Sequence, residues 1–391
     1  MLRNEWLAHL DGLVVFRGLL AAEPLCTLHA ALAADDAALT GAVAAFEAAL
    51  FARGTNWTDA LLEVVLEDEN LCLKVAAGQD AGPVLEKAMD DELDFLQALG
   101  RAPLDEVFPG VAAFLPRWQV TPDADYHAAY AARRAAMGQK GYGMFARHHV
   151  FALEEGRLVP VRYPDPQRLS ELPGYEQERE KVIANTRALL EGRPANNVLL
   201  YGDAGTGKSS TVKAIANEYA ADGLRLVEVK KNQLYQIPDL MDQLAANPLK
   251  FILFIDDLSF SSNDDNFAAL KAILEGSVGG RARNIAVYAT SNRRHLIKET
   301  LTDRTGDDIH EADTRQELMS LSARFGLTVT FQRPEKARFA AILEELAKQH
   351  HIQMPMEELL VKAEAFAIRA GGRSPRVAKQ FIEQCESGVQ K

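Results

Sequence analysis

Between residues 169 and 333, short runs of branched and aromatic residues alternate with longer stretches that carry apolar residues three and four apart. The runs are Val198 to Tyr201, Leu226 to Val229, Phe251 to Ile255, Ile285 to Thr290 and Leu327 to Phe331. Segments such as Ser210 to Ala221 and Phe267 to Glu275 have helical spacing between them. Strand and helix in alternation predict a parallel sheet covered by helices on both faces. From Pro334 to the end the spacing is helical throughout. From the start to about Gly138 the chain is also Ala- and Leu-rich, with helical spacing in Thr58 to Val75 and Pro83 to Leu99 and breaks at Pro103, Pro109, Pro116 and Pro122. Val150 to Leu153 and Leu158 to Val161, around Glu154-Glu155-Gly156, read as two short strands, and Tyr163-Pro-Asp-Pro166 as a linker. The partition expected is a mainly helical domain at 1–165 ending in a β-hairpin, an α/β domain at 166–333, and a helical domain at 334–391.

Composition changes this picture little: 48% hydrophobic and 25% charged residues are ordinary for a globular protein. No segment approaches the roughly 20 apolar residues needed to cross a bilayer, and the start has no apolar core of signal-peptide type. A cytoplasmic protein without membrane contact is expected. Cys26, Cys72 and Cys385 are odd in number and far apart, which favours reduced thiols. Charge is uneven. Residues 1–140 hold 10 Lys and Arg against 21 Asp and Glu, while the remainder holds 33 against 34. Such an acidic front half disfavours broad nucleic-acid binding through that part.

The strongest chemical signal follows the first apolar run of the α/β domain. Gly202-Asp203-Ala204-Gly205-Thr206-Gly207-Lys208-Ser209, with Ser210 opening a helix, is a P-loop in its required setting of strand, glycine-rich turn and helix. Glycines let backbone N–H groups close around phosphate oxygens, and the helix adds the positive end of its dipole. Lys208 is expected on the β- and γ-phosphates of ATP, and the Ser209 hydroxyl on Mg2+.

Three further groups stand at the ends of later runs. Asp256 and Asp257 follow Phe251 to Ile255, where open parallel sheets place their ligands. Asp256 is the expected magnesium partner and Asp257 the group that orients or deprotonates water. Asn292 follows Ile285 to Thr290 and suits a non-titrating amide beside that water, although a turn-forming Asn would look the same. Arg324 closes a helical stretch before Leu327, where it fits either a helix C-terminus or the γ-phosphate of a neighbouring subunit. In Gly371-Gly-Arg-Ser-Pro-Arg376, Ser374 is an N-cap and Pro375 a first-turn proline. Arg376 therefore opposes the helix dipole, a conflict that an anionic nucleotide would relieve, and Arg373 is a weaker candidate beside it.

These elements in this order resemble the AAA+ superfamily: Walker A at Gly202 to Ser209, Walker B at Phe251 to Asp257, sensor 1 at Asn292, an arginine finger at Arg324 and sensor 2 at Arg376. Leu172-Pro-Gly-Tyr-Glu-Gln177, Ile255-Asp-Asp-Leu-Ser-Phe260 and Ser320 to Leu327 are similar to the bacterial ATP-binding family known as domain of unknown function 815. The resemblance implies a P-loop NTPase fold with a helical lid at 334–391. It also implies ATP and Mg2+ as cofactors, and Leu172, Pro173 and Tyr175 near the adenine. Most ATPases of this class carry Glu where this chain has Asp257, so slower hydrolysis is one implication. A finger acting in trans implies a homo-oligomer. The expected function is ATP hydrolysis that remodels an unidentified protein or nucleoprotein partner. The alternative is a nucleotide-dependent binding switch, a helicase-loader-like adaptor with slow hydrolysis. A small-molecule kinase would use the same cradle without needing the two arginines. Nucleic-acid contact stays open through Lys230-Lys231 or Arg293-Arg294, and the segment Lys298 to Glu317 is long enough to be a partner-contacting insertion.

Overall fold

A computed structural model describes residues 3–76, 82–258, 269–271, 273–274, 282–292 and 323–388. The pair Arg293-Arg294 and the segment Lys298 to Glu317 lie outside these residues; of the expected helix Phe267 to Glu275, residues 269–271 and 273–274 lie within them and are helical. The chain divides into two compact units, Met1–Arg147 and His148–Lys391.

The first unit is helical, and its longer helices span Leu39–Phe51, Trp57–Glu67 and Gly82–Arg101. The expected stretch Thr58 to Val75 is broken at Asp68. Asn70 accepts the amide of Leu73 at 3.1 Å and starts a second helix, Leu71–Ala76. A free-standing apolar period could not reveal this break, because the apolar spacing runs on through it. Phe46 sets its ring edge against Trp57 and Trp118, and both indoles donate to backbone carbonyls, of Leu99 at 2.9 Å and Ala102 at 3.1 Å. Beside Phe46, Glu47 is 2% exposed, and among the described residues neither carboxylate oxygen has a hydrogen-bond partner.

The second unit is built on a sheet in the order β2-β1-β4-β5-β6-β3-β7. Its strands are β1 (Val150–Glu154), β2 (Arg157–Pro160), β3 (Val198–Gly202), β4 (Leu224–Glu228), β5 (Lys250–Ile255), β6 (Ile285–Ser291) and β7 (Leu327–Phe331). Strands β4, β5, β6, β3 and β7 run parallel, and β4, β5 and β6 bury nearly every side chain, as sheets covered on both faces require. The hairpin β1–β2, expected within an N-terminal domain, instead extends this sheet, with β1 parallel to β4. Val150, Phe151 and Ala152 lie opposite Leu226, Val227 and Glu228, a pairing between segments some seventy residues apart. No local pattern encodes that partner. After β7 come three helices, Lys336–Gln349, Met356–Arg369 and Pro375–Glu386, whose apolar faces join the core cluster of the sheet. Among the described residues no helix is long and apolar enough to cross a membrane.

Burial pushes the Glu47 carboxyl above its ordinary value of 4.5, against the pull of Arg117. A carboxyl raised in the folded state leaves stability complete below about 4.5 and erodes it as pH rises through the raised value. Glu47→Met should stabilise the first unit by about 1–3 kcal/mol at pH 8, with the gain shrinking toward pH 4. All three tryptophans, Trp6, Trp57 and Trp118, belong to this unit, so thermal unfolding followed by tryptophan fluorescence at the two pH values checks it.

Candidate active site

The P-loop begins where β3 ends, beside β6 on one side and β7 on the other. A Cβ on Gly202, at φ +132°, would collide with the carbonyl of Phe331, so this close approach to β7 admits only glycine. Asp203 anchors the loop. Its amide donates to Phe331 O at 3.0 Å, and its carboxylate accepts the amide of Arg333 at 2.7 Å. Thr206, 2% exposed, donates from Oγ1 to Asp203 O at 2.8 Å. Lys208, at the start of the helix Lys208–Glu218, is 5% exposed. Its ammonium donates to Gly202 O at 2.9 Å, Asp203 O at 2.7 Å and Asn292 Oδ1 at 2.9 Å. Burial holds its pKa below the ordinary 10.5. Asp203, Asp257 and Asp256 oppose that shift, and Arg376 adds to it.

β6 lies between β3 and β5, so the tips of three adjacent strands converge. Asp256 Oδ1 accepts from Ser209 Oγ at 2.6 Å, Thr290 Oγ1 at 2.5 Å and the amide of Asp257 at 3.1 Å. The same Asp257 amide reaches Thr290 Oγ1 at 2.9 Å, and Asn292 Nδ2 donates to Asp257 Oδ1 at 2.7 Å. The Asn292 amide is oriented without ambiguity, because an ammonium only donates and a carboxylate only accepts. These bonds close a ring: Lys208, Asn292, Asp257, Thr290, Asp256 and Ser209, which adjoins Lys208 in the chain.

The ring borders a cavity of about 450 Å3, within the size range of small-ligand sites. The P-loop from Ala204 to Ser210 forms its floor, and Asp256, Asp257, Thr290 and Asn292 form one wall. The lid contributes Arg376 and Lys379, and Leu172, Pro173 and Leu346 make an apolar corner. The first turn of the helix Pro375–Glu386 rests directly on the loop, with the amide of Arg376 donating to Gly205 O at 3.1 Å. Ser374 caps that helix by accepting the amide of Val377 at 3.2 Å.

Most of the predicted site residues thus meet in one place. Gly202 and Asp203 are not among the cavity-lining residues and tie the loop to β7 and the segment after it. Tyr175 is placed differently from the expectation of a residue near the base. It is 2% exposed, with its ring stacked on Phe331 at 5.4 Å under the guanidinium of Arg338 at 4.8 Å. Its hydroxyl donates to Gln332 O at 2.5 Å, and burial pushes its pKa up to about 12. Arg373 is turned to Glu364, at 2.8 and 3.0 Å. Arg324 does not line the cavity. It precedes β7, at the N-terminal ends of the parallel strands, whereas the P-loop leaves their C-terminal ends. Five strand residues, about 16 Å, separate the two levels.

The sequence pattern passed over Thr290, Lys379, Arg179 and Leu346. Thr290 lies two residues before Asn292 and so on the same strand face, and Lys379 three residues after Arg376 on one helix face; those spacings could have found them. Arg179, 7% exposed, and Leu346 reach the cavity only through packing, for which no local signal exists.

A P-loop strand flanked by β6 and β7, an acidic pair on the next strand but one and a helical lid seated on the loop define a P-loop protein of the AAA+ superfamily. A family model described as "Protein of unknown function (DUF815)" matches residues 145–389, well over half of the chain, and the chain belongs to that family. It is also similar to the replication factor C large subunits of Pyrococcus horikoshii, at 29% identity over 196 residues, and Staphylothermus marinus, at 29% over 130 residues. Those matches span 47% and 30% of this chain and 38% and 29% of the relatives. Among solved structures, the Thermotoga maritima RuvB Holliday junction branch migration motor aligns with 18% identity and a TM-score of 0.39 over 56% of this chain and 64% of that one. The chain therefore covers less than two thirds of each of these proteins.

An added methyl at Gly205, already at φ +75°, would sit 3.1 Å from Ser374 Oγ and 3.2 Å from the Cβ of Arg376. Gly205→Ala should cost about 1–2 kcal/mol in backbone strain and lift the lid turn from the loop. Hydrogen exchange should then accelerate at the amides of residues 376–378 ahead of the sheet.

Proposed function

We propose that this protein binds ATP with Mg2+ in the cavity above Lys208 and hydrolyses it. In this reading it works as an oligomer whose subunits complete one another's sites and remodel a protein or nucleoprotein partner. The observation that carries the reading is the closed ring from Lys208 through Asn292, Asp257, Thr290 and Asp256 to Ser209. It groups, at one cavity, a phosphate-binding cation, a hydroxyl–carboxylate pair and a carboxylate held by an amide.

The P-loop amides and the N-terminus of the helix Lys208–Glu218 would receive the phosphates. Lys208 donates to three neutral oxygens, and a charged phosphate oxygen is a stronger acceptor than any of them, so the ammonium is placed to shift its donation to the substrate. Arg376 and Lys379 would add positive charge from the lid. Ser209 Oγ and Asp256, an all-oxygen pair 2.6 Å apart, fit a hard divalent cation and would hold Mg2+. Bound there, the ion would neutralise charge on the β- and γ-phosphoryl oxygens. Asp257 would take a proton from the attacking water while Asn292 keeps its carboxylate aimed. Leu172, Pro173 and Leu346 would cover the base.

Arg324 supports the oligomer. Its place at the far ends of the strands puts it out of reach of its own cavity, which suits a group serving a neighbour's γ-phosphate. The partial likeness to replication factor C large subunits keeps a nucleoprotein among the partners proposed. The short side chain of Asp257 favours a second reading, in which ATP switches affinity for the partner and slow hydrolysis resets it.

Isothermal titration with ATP and Mg2+ tests the core of this reading. Affinity should vanish in Lys208→Ala and, in the unaltered protein, fall as pH rises through the lowered pKa of Lys208, because only the ammonium form attracts phosphate. Magnesium-independent affinity, or full affinity in Lys208→Ala, sinks the proposal. Arg324→Ala should keep ATP binding and lose about a thousandfold or more in turnover. Mixing Lys208→Ala with Arg324→Ala subunits should restore part of the turnover, since each supplies what the other lacks. A mixture as inert as its parts would eliminate the shared site.

A further inference from the structure

We propose that Thr290 is a positioning residue for hydrolysis: its hydroxyl holds Asp257 in a left-handed backbone conformation that delivers a short carboxylate to Asn292. The proposal rests on the reading of Asp257 as the group that activates water.

Asp257 has φ +50°, a region that L-residues seldom adopt and that Asn and Asp tolerate better than longer side chains. The conformation needs external support. Thr290 supplies it at two consecutive amides of the neighbouring strand's chain: Oγ1 accepts the Asp257 amide at 2.9 Å, and the Thr290 carbonyl accepts the Leu258 amide at 2.7 Å. Oγ1 also donates to Asp256 Oδ1 at 2.5 Å, which fixes the hydroxyl hydrogen and leaves a lone pair for the Asp257 amide. Thr290 is 2% exposed, so bulk water does not readily replace that acceptor.

The kink accounts for aspartate in place of glutamate. An extended residue at the end of β5 would continue along its own strand. The left-handed turn instead carries residue 257 across the strand tips toward β6, where Oδ1 comes within 2.7 Å of Asn292 Nδ2. The missing methylene is thus replaced by backbone geometry, and that geometry depends on one hydroxyl. Removing it leaves the Asp257 amide, among the described residues, with the Asp256 Oδ1 acceptor at 3.1 Å.

Thr290→Val keeps shape and strand preference while deleting the hydroxyl. With ATP turnover and ATP binding measured on the full chain, kcat should fall about 10–100-fold, the loss expected for a misplacement of the order of 1 Å. ATP affinity should stay within about threefold, a split that general destabilisation would not produce. Thr290→Ser should restore most of the turnover. The double variant Thr290→Val/Asp257→Asn should be no slower than Asp257→Asn alone, because a residue acting through Asp257 has nothing left to position. Turnover unmoved in Thr290→Val, or an effect that multiplies with that of Asp257→Asn, overturns the inference and leaves the site reading intact. An unaltered protein that binds ATP with magnesium but never hydrolyses it removes both.

Discussion

One carboxylate oxygen, Oδ1 of Asp256, gathers the hydroxyls of Ser209 and Thr290 and the amide of Asp257, and with them three strands of the sheet. The arrangement exists because the sheet is parallel and β6 lies between β3 and β5. Only then do three C-terminal tips stand side by side, so that Asp256 after β5, Thr290 near the end of β6 and Ser209 beyond the turn after β3 reach one point. The strands themselves are held by burial: β5 and β6 hide almost every side chain, so their ends cannot drift without opening the core. Hydrophobic packing thus sets the position of each tip, and hydrogen bonds to Asp256 set its orientation. The buried ammonium of Lys208 joins the same assembly through Asn292 and tolerates its loss of water because carbonyl and amide oxygens surround it.

How far this was legible from sequence depends on the range of the interaction concerned. Gly202 to Ser209, Asp256, Asp257 and Asn292 could be located because each directly follows an apolar run, and a run that ends in polar residues marks a strand tip without knowledge of the neighbours. Thr290 was hidden by the same rule: it reads as the last residue of an apolar run, and its role comes from two aspartates on another strand. Tyr175 shows the limit for orientation. Its motif places it before the P-loop, but its direction is decided by Phe331 and Arg338, far along the chain. The hairpin β1–β2 is legible as a hairpin but its neighbour in the sheet is not, because turn chemistry is local and the pairing with β4 is not. In the first unit, the interruption at Asp68 to Asn70 was masked by apolar spacing that continues through it.

The two units answer to different physical demands. The first, Met1–Arg147, is a helical unit that carries most of the chain's net negative charge, and its core contains an acid, Glu47, with no hydrogen-bond partner among the described residues. The second holds all the chemistry described, and its lid belongs to the same apolar core as the sheet. Arg376 is fixed by its backbone to Gly205 O, so the side chain that faces the cavity starts from a point already set by the loop. The helix-dipole conflict at this position therefore faces into the cavity.

The attachment of Asp203 to the amide of Arg333, with Gly202 pressed on Phe331, makes the P-loop and the root of the lid a single mechanical part. A displacement of the loop would therefore act on a lever rooted just past Arg333. The first lid helix, Lys336–Gln349, is about 21 Å long. A tilt of about 10° at its base would sweep the far end through roughly 4 Å, amplifying an ångström-scale change at the loop into a larger one at the tip of the helix.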